Sequence, residues 1–519
     1  MYRFLLLAIV LGLAACERAP SVVIDEEKLI GKYVEDGKVA AFLGVPFAEP
    51  PVGELRWQGP QALATKVSRR DTTEFSAACM QDMRILDWYR DLAETFGGSA
   101  DYYPDLDVSE DCLYLNVWTP TVDATAGLPV MVWVHGGSNR SGWSYEPNYR
   151  GHKLAQQDVV VVSVAYRQGV FGFLSHPELP ADEPLANFAY WDLIASLQWV
   201  QDNIELFGGD PDRVTMFGES AGAQDILALM FAEPAKGLFH RAILESTAGF
   251  GIERMSSIDN EQARMQEFAK RVSPGNTSLA ALRALPAQEL LQRYEANFGD
   301  YYHSPSVDGQ LFDKPLWESV RAAEFPNVAV VIGSNQDEWR ESIPADISWD
   351  GVADLAASEW HDDAADALEL VQDEQDPLRA ADRLSTAKSM LCPSQAFARH
   401  MSAAGKDAWM YYFTRVREDQ GGAKMRAFHG AEYAYPFDTH DAYMTTNATD
   451  RALTRAMQSY WVSFAATGNP NSEGTTDWPR YAAPDFLVQE LGDEVFSAAA
   501  PEPELCALFE EGLAARTAN

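Results

Sequence analysis

Phe217-Gly218-Glu219-Ser220-Ala221-Gly222-Ala223 is the stretch on which the reading of this chain turns. It sets a serine between two glycines in the pattern Gly-x-Ser-x-Gly. Ahead of it, Val214 to Phe217 is a short β-prone run; behind it, Ala223 to Phe231 is rich in Ala and Leu and reads as helix. A serine at such a strand-to-helix turn is held in a strained conformation with its hydroxyl exposed above the sheet. Gly218 and Gly222 are expected where side chains would strike the neighbouring strand and helix. The helix that begins after Ser220 also points its unpaired N–H groups at the reacting centre. Small residues cluster in many turns, so the motif alone is weak. The strand before it and the helix after it make Ser220 a candidate nucleophile.

Outward from this turn the apolar runs define an α/β chain. Val130 to Val134 and Val159 to Ala165 are apolar enough for buried central strands. Val39 to Leu43, Leu113 to Trp118, Ala242 to Glu245, Val328 to Ile332 and Trp409 to Phe413 are further strand candidates. Trp191 to Asn203 has helical spacing, residues 255–325 are mostly helical with breaks at Pro274 and Pro286, and a long helix over Arg451 to Ala466 ends at Gly468 and Pro470. Cys79 to Cys112, rich in Asp and Tyr, reads as irregular. Strands alternating with helices imply a mostly parallel sheet covered on both faces.

The chain has 519 residues, 47% of them hydrophobic, enough for a sizeable core. No repeat, low-complexity tract or linker divides it, so residues 16–519 are expected to form a single catalytic domain with long insertions. Acidic residues outnumber basic ones 77 to 40, a formal net charge of -37. That balance disfavours nucleic acid as a partner, because such binding needs a basic footprint. A negative field can favour cationic substrates, but a solvated acidic surface is the simpler expectation.

Met1 to Ala15 reads as a signal peptide: Arg3 gives a positive start and Phe4 to Leu13 is an uninterrupted apolar run. The run is too short to span a bilayer. It closes on Leu13-Ala14-Ala15-Cys16, which resembles the lipobox of bacterial lipoproteins, so Cys16 is expected to be lipidated and to hold the exported chain at a membrane surface. Export permits disulfides, and four cysteines remain: Cys79, Cys112, Cys392 and Cys506. Residues alone leave three pairings open.

A serine is a poor nucleophile until a base takes its proton, and the base needs an orienting acid. At a turn of this kind the chain order is serine, then Asp or Glu, then His. The loop after Val328 to Ile332 offers Asp337 and Glu338. His429 follows Trp409 to Phe413 on a glycine-bearing loop, with His440 as rival; His400 lies in a helical stretch and is expected to be structural. An oxyanion hole needs backbone N–H donors. Ala221 is one candidate, and His135-Gly136-Gly137-Ser138, directly after an apolar strand, supplies others. No His-Glu-x-x-His motif or phosphate loop occurs, and no metal or cofactor is expected.

At this point the chain resembles the type-B carboxylesterases, the family that includes the cholinesterases and para-nitrobenzyl esterases. The matching segments run nearly end to end: Phe47 to Gly53 with Leu55-Arg56-Trp57, Glu110 to Val117, Trp199 to Ala223, Asp308-Gly309, Asp337-Glu338, His429-Gly430-Ala431-Glu432, and Trp461 to Asn471. The resemblance implies an α/β-hydrolase fold, a triad of Ser220, Glu338 and His429, and oxyanion donors at Gly137, Ser138 and Ala221. It also implies the disulfides Cys79–Cys112 and Cys392–Cys506. The implied activity is cofactor-free hydrolysis of small carboxylic esters through an acyl-enzyme. Amidase or thioesterase chemistry by the same route is the alternative, as is a binding or adhesion protein that has lost catalysis.

Three positions depart from the family pattern. Ser138-Asn139 stands where Gly and an aromatic are common, Trp339 follows the acid where Gly is usual, and Asp192-Leu193 replaces Asp-Gln. Trp88 lies in the first expected disulfide loop, but its spacing does not match the choline-site tryptophan, so acetylcholine is not the expected substrate.

Overall fold

The computed structural model describes residues 19–64, 67–247, 255–299 and 301–517. Its centre is an eleven-stranded sheet. In chain order the strands are β1 (Lys32–Val34), β2 (Val39–Pro46), β3 (Tyr114–Thr119), β4 (Leu128–Val134), β5 (Val160–Val164) and β6 (Gly209–Glu219), followed by β7 (Arg241–Glu245), β8 (Ala329–Asn335), β9 (Ala408–Phe413), β10 (Leu487–Leu491) and β11 (Val495–Ala499). Across the sheet the order is β11-β10-β9-β8-β7-β6-β4-β5-β3-β2-β1. Every pairing from β10 to β5 is parallel, and the pairings at both ends are antiparallel.

The parallel centre is apolar on both sides because both sides are covered. Alternation along a strand divides the core in two. Val130, Val132 and Val134 of β4 point to one face, with Met216 of β6 and Leu197, Ile226 and Phe397 from the helices Phe188–Asn203, Ala221–Leu229 and Cys392–Ala403. Met131 and Trp133 point to the other, where the helix Ala448–Thr467 lays down Leu453, Met457, Trp461 and Phe464. That helix opens on a reciprocal capping box between Asn447 and Asp450 and closes at Gly468, whose φ of 78° is left-handed.

The stretch between Cys79 and Cys112 is less irregular than its composition suggests. Arg84–Thr95 is a helix that buries Leu86, Tyr89, Leu92 and Ala93. Its Asp and Arg residues hide that helical stripe from a reading by composition. Two disulfides, Cys79–Cys112 and Cys392–Cys506, pair the four cysteines as the resemblance implied. Met1 to Ala15 and Cys16 lie outside the described residues.

Candidate active site

The three parallel strands β6, β8 and β9 deliver their following loops to one edge of the sheet, where ligands sit in open α/β sheets. β6 ends at Glu219 and the helix Ala221–Leu229 begins one residue beyond Ser220. Ser220 turns the chain between them with φ 57° and ψ -125°, a strained conformation for a residue with a side chain. The flanking glycines make this turn possible. A Cβ on Gly218 would lie 2.5 Å from the carbonyl oxygen of Val134, and one on Gly222 would collide with the same atom. β4 is therefore in near contact with both arms of the turn. The Ser220 N–H donates to the Glu245 carbonyl at 2.9 Å, which fixes the turn to β7 as well.

Ser220 Oγ lies 2.9 Å from His429 Nε2, and His429 Nδ1 lies 2.6 Å from Glu338 Oε2. The other carboxylate oxygen, Oε1, accepts from the Asn335 N–H at 2.7 Å. Glu338 is fully buried, and its own N–H donates to Thr386 Oγ1. Asp337 faces the opposite way. It accepts from Arg426 Nε at 2.6 Å and from the Ala427 N–H at 3.3 Å, and its N–H donates to the Ala427 carbonyl. One carboxylate thus meets the imidazole and its neighbour anchors the loop that carries it. His440 is elsewhere: it is buried between the hydroxyls of Thr446 and Thr454, and burial pushes its pKa down to about 3. His400 packs its ring against Trp317 on the helix Cys392–Ala403.

Around His429 the structure gathers carboxylates that composition alone did not single out. Glu219 Oε1 lies 3.2 Å from His429 Nε2. Glu432 accepts from Ser246 Oγ at 3.1 Å and is bonded by the Asn335 side-chain amide, and Glu245 accepts from Trp461 Nε1 at 2.8 Å. Burial pushes the pKa of Glu219 up to about 8 and that of Glu432 up to about 7. Burial alone would lower the pKa of His429. Glu219, Glu338 and Glu432 outweigh it and hold the imidazole above its ordinary value. Only the motif position of Glu219, beside the serine, could have marked it in advance.

The loop after β4 closes the site from the other side. A Cβ on Gly136 would lie 3.1 Å from Ser220 Cβ, so this backbone runs directly beside the serine. Gly137 has φ 113°, and a Cβ there would collide with the Ser141 carbonyl oxygen. Ser138 and Asn139 follow at φ 59° and 57°. The Gly137 and Ser138 N–H groups have no backbone partner among the described residues, and Ala221 is the first residue of its helix, where N–H groups lack intrahelical acceptors.

A serine at a strand-to-helix turn, hydrogen-bonded through a histidine to a buried carboxylate, can be compared with known proteins. Residues 18–502 match the model of the carboxylesterase family. Carboxylesterase 1C of Rattus norvegicus is 33% identical over 91% of this chain and 89% of its own length. Fumonisin B1 esterase of Sphingopyxis macrogoltabida is 32% identical over 92% of this chain and 88% of its own. A solved structure of a PNB esterase superposes with a TM-score of 0.81 at 30% identity, covering 94% of this chain and 99% of that one. The chain belongs to the carboxylesterase family. It is a carboxylic-ester hydrolase with the α/β-hydrolase fold.

The three departures from the carboxylesterase pattern each have a structural setting. Trp339 stacks on His429, with ring centroids 5.5 Å apart and planes 15° from parallel, while its Nε1 donates to Ser389 Oγ at 2.5 Å. Asp192 takes a buried, bidentate ion pair from Arg167, with both contacts at 2.7 Å. Asn139 is fully buried and bonded to Asp225. Trp88 lines a cleft of 500 Å³ with Glu341, Lys424 and Leu92.

Proposed function

We propose that this carboxylesterase hydrolyses small-molecule esters with Ser220 as nucleophile, His429 as general base and Glu338 as the orienting acid. The observation that carries the proposal is the unbroken chain of contacts Ser220 Oγ–His429 Nε2–Nδ1–Glu338 Oε2, at 2.9 and 2.6 Å. Glu338 Oε2 fixes the tautomer with the proton on Nδ1, which leaves Nε2 free to accept from Ser220. As Oγ attacks the ester carbonyl carbon, its proton passes to Nε2, and the imidazolium is stabilised by the carboxylate at Nδ1. The carbonyl oxygen becomes an oxyanion that takes hydrogen bonds from the N–H groups of Gly137, Ser138 and Ala221. One such donor is worth about 3–4 kcal/mol in a protease. The tetrahedral intermediate collapses as Nε2 protonates the departing alcohol. Water, activated by the same nitrogen, then releases the acid and restores the serine.

The carboxylates around His429 support this role. They lie where the imidazolium forms in both half-reactions and stabilise its positive charge. One relative, 32% identical over 89% of this chain, is the medium-chain fatty acyl-CoA hydrolase precursor of Anas platyrhynchos, which makes a thioester a useful second substrate class. Export is supported by the apolar amino-terminal run and by two disulfides, which persist in oxidising compartments. Attachment to a membrane through lipidated Cys16 belongs to the same proposal, as does a single catalytic domain over residues 16–519.

A fluorophosphonate probe tests the catalytic assignment, with aryl esters and an aryl thioester of varied acyl length assayed alongside. The expected result is covalent labelling on Ser220, located by peptide mass spectrometry, and loss of both labelling and turnover in Ser220→Ala. Turnover that survives in a folded Ser220→Ala protein places the nucleophile elsewhere. Absence of labelling and of turnover in the wild type indicates a binding protein on this fold.

A further inference from the structure

The proposed oxyanion donors come from two segments far apart in the chain. Gly137 and Ser138 sit on the loop after β4, and Ala221 opens the helix after Ser220. A tetrahedral oxygen is bound well only if these N–H groups converge on one point, so their separation must be held to a fraction of an ångström. Ser138 and Asn139 are successive non-glycine residues in the left-handed region, a conformation that is costly for Ser and better tolerated by Asn. Within the loop, the N–H groups of Arg140 and Ser141 donate to the Gly137 carbonyl at 3.1 and 3.2 Å. Neither of these bonds ties the loop to the helix that carries Ala221.

We propose that Asp225 is a positioning residue that straps the oxyanion loop to the nucleophile helix through Asn139. Asp225 lies one helical turn beyond Ala221, on the helix Ala221–Leu229, and is fully buried. Its Oδ1 accepts from Asn139 Nδ2 at 3.1 Å and from the Tyr190 hydroxyl at 2.6 Å. Asn139 is the residue directly after Ser138 and is held on every side. Its carbonyl accepts from the Gly169 N–H at 2.8 Å, its Oδ1 lies 3.4 Å from the Tyr166 hydroxyl, and its Nδ2 lies 3.4 Å from the His303 carbonyl. The Tyr166 hydroxyl also donates to the His135 carbonyl at 2.7 Å, at the start of the same loop. The bond between Asn139 and Asp225 spans 86 residues and joins the two halves of the donor set. A polar strap thus occupies the place where the family pattern has an aromatic ring, and it sets the loop by hydrogen bonds.

This inference rests on the proposed oxyanion donors, so wild-type turnover and fluorophosphonate labelling are measured first; their absence refutes that assignment and not the strap alone. The test then compares Asp225→Leu, which removes the acceptor while keeping the branched outline of the side chain, with Asp225→Asn. The Asn139 amide and the Tyr190 hydroxyl both donate to Oδ1, so an amide that keeps its oxygen in that place keeps both bonds. Each variant is assayed for kcat and KM on one aryl ester and for inhibition by an aryl trifluoromethyl ketone. That ketone forms a bond from Ser220 Oγ to its carbonyl carbon; the carbonyl electron pair moves to oxygen, and the serine proton passes to His429. Its affinity therefore reports the oxyanion site, whereas a loss of folded protein alone would not change it per active site.

Asp225→Leu is expected to lower kcat about 10- to 100-fold, part of the 10²–10³-fold lost when a donor is removed outright. KM should stay within about threefold, and the ketone's Ki should rise in parallel with the loss in kcat/KM. Asp225→Asn should keep kcat within about threefold. Should Asp225→Leu fail to fold, Asn139→Ala reads the same bond from its other end with the same expectations. The strap is refuted if a folded Asp225→Leu or Asn139→Ala keeps wild-type kcat, loses kcat with unchanged ketone affinity, or if Asp225→Asn is as damaged as Asp225→Leu.

Discussion

Replacing Glu338 by Gln, with Asp337→Asn beside it, separates the acid of the triad from its neighbour. Glu338 places one oxygen 2.6 Å from His429 Nδ1 and the other 2.7 Å from the Asn335 N–H. In Glu338→Gln the amide has one acceptor and one donor for these two places. The Asn335 N–H demands the acceptor, which turns the NH₂ group toward Nδ1. An NH₂ there favours the tautomer with Nδ1 bare and the proton on Nε2, where it blocks transfer from Ser220. The lost charge adds to this. At 4 Å and an effective dielectric of 20, a carboxylate and an imidazolium attract by about 4 kcal/mol, close to a thousandfold in rate. With the tautomer penalty, kcat should fall about 10³- to 10⁴-fold, in line with the comparable change in a serine protease. Asp337→Asn breaks no contact to His429. It weakens the ion pair with Arg426 at 2.6 Å, which lies at a nearly buried carboxylate. The expected loss is about 1–3 kcal/mol of stability and less than about tenfold in kcat. The assay is kcat on one fast aryl ester, with active sites counted by fluorophosphonate titration, and a melting temperature for each protein. A dead Asp337→Asn with an active Glu338→Gln would refute the assignment; so would a Glu338→Gln protein within tenfold of wild type.

Three more expectations come from other parts of the molecule. Glu219→Gln removes a carboxylate 3.2 Å from His429 Nε2 that helps to raise its pKa, so the acidic limb of the kcat/KM profile should move to lower pH. An unchanged or upward-shifted limb would show that Glu219 does not raise the pKa of His429 in the free enzyme. Cys506→Ser opens a disulfide that closes a loop of 114 residues between fully buried cysteines, and should cost about 3–5 kcal/mol in denaturant unfolding under oxidising conditions. A loss under about 1 kcal/mol would mean that the unfolded chain gains little freedom from the break. Cys16→Ser should release the protein from the membrane fraction, and mass spectrometry of the native amino terminus should find acyl chains on Cys16; finding none ends the lipoprotein proposal.

What consecutive residues build was legible from the sequence alone. The turn at Ser220 is made by its own neighbours: a β-prone run, two glycines and a helix-forming run, all within one short stretch. The steric demand on Gly218 and Gly222 could be anticipated because β4 must pass close to any such turn, and the structure puts the Val134 carbonyl there. Strand alternation and the apolar centre were equally local, since burial on both faces writes itself into every residue of β4 and β5. The choice between Asp337 and Glu338 was different in kind: the residues themselves left it open, and only the family resemblance implied Glu338. Both residues lie on the turn at 336–339 that follows β8, and the packing of the 426–429 loop against this turn decides which of them meets the imidazole. The same holds for His429 over His440, because both lie on loops after β9 and differ in which hydroxyls or carboxylates the fold brings to them. Glu219, Glu432 and Asp225 act through partners that are often more than eighty residues away in sequence. No periodicity or motif records such a partner, because the contact exists only once the sheet has set its strands side by side.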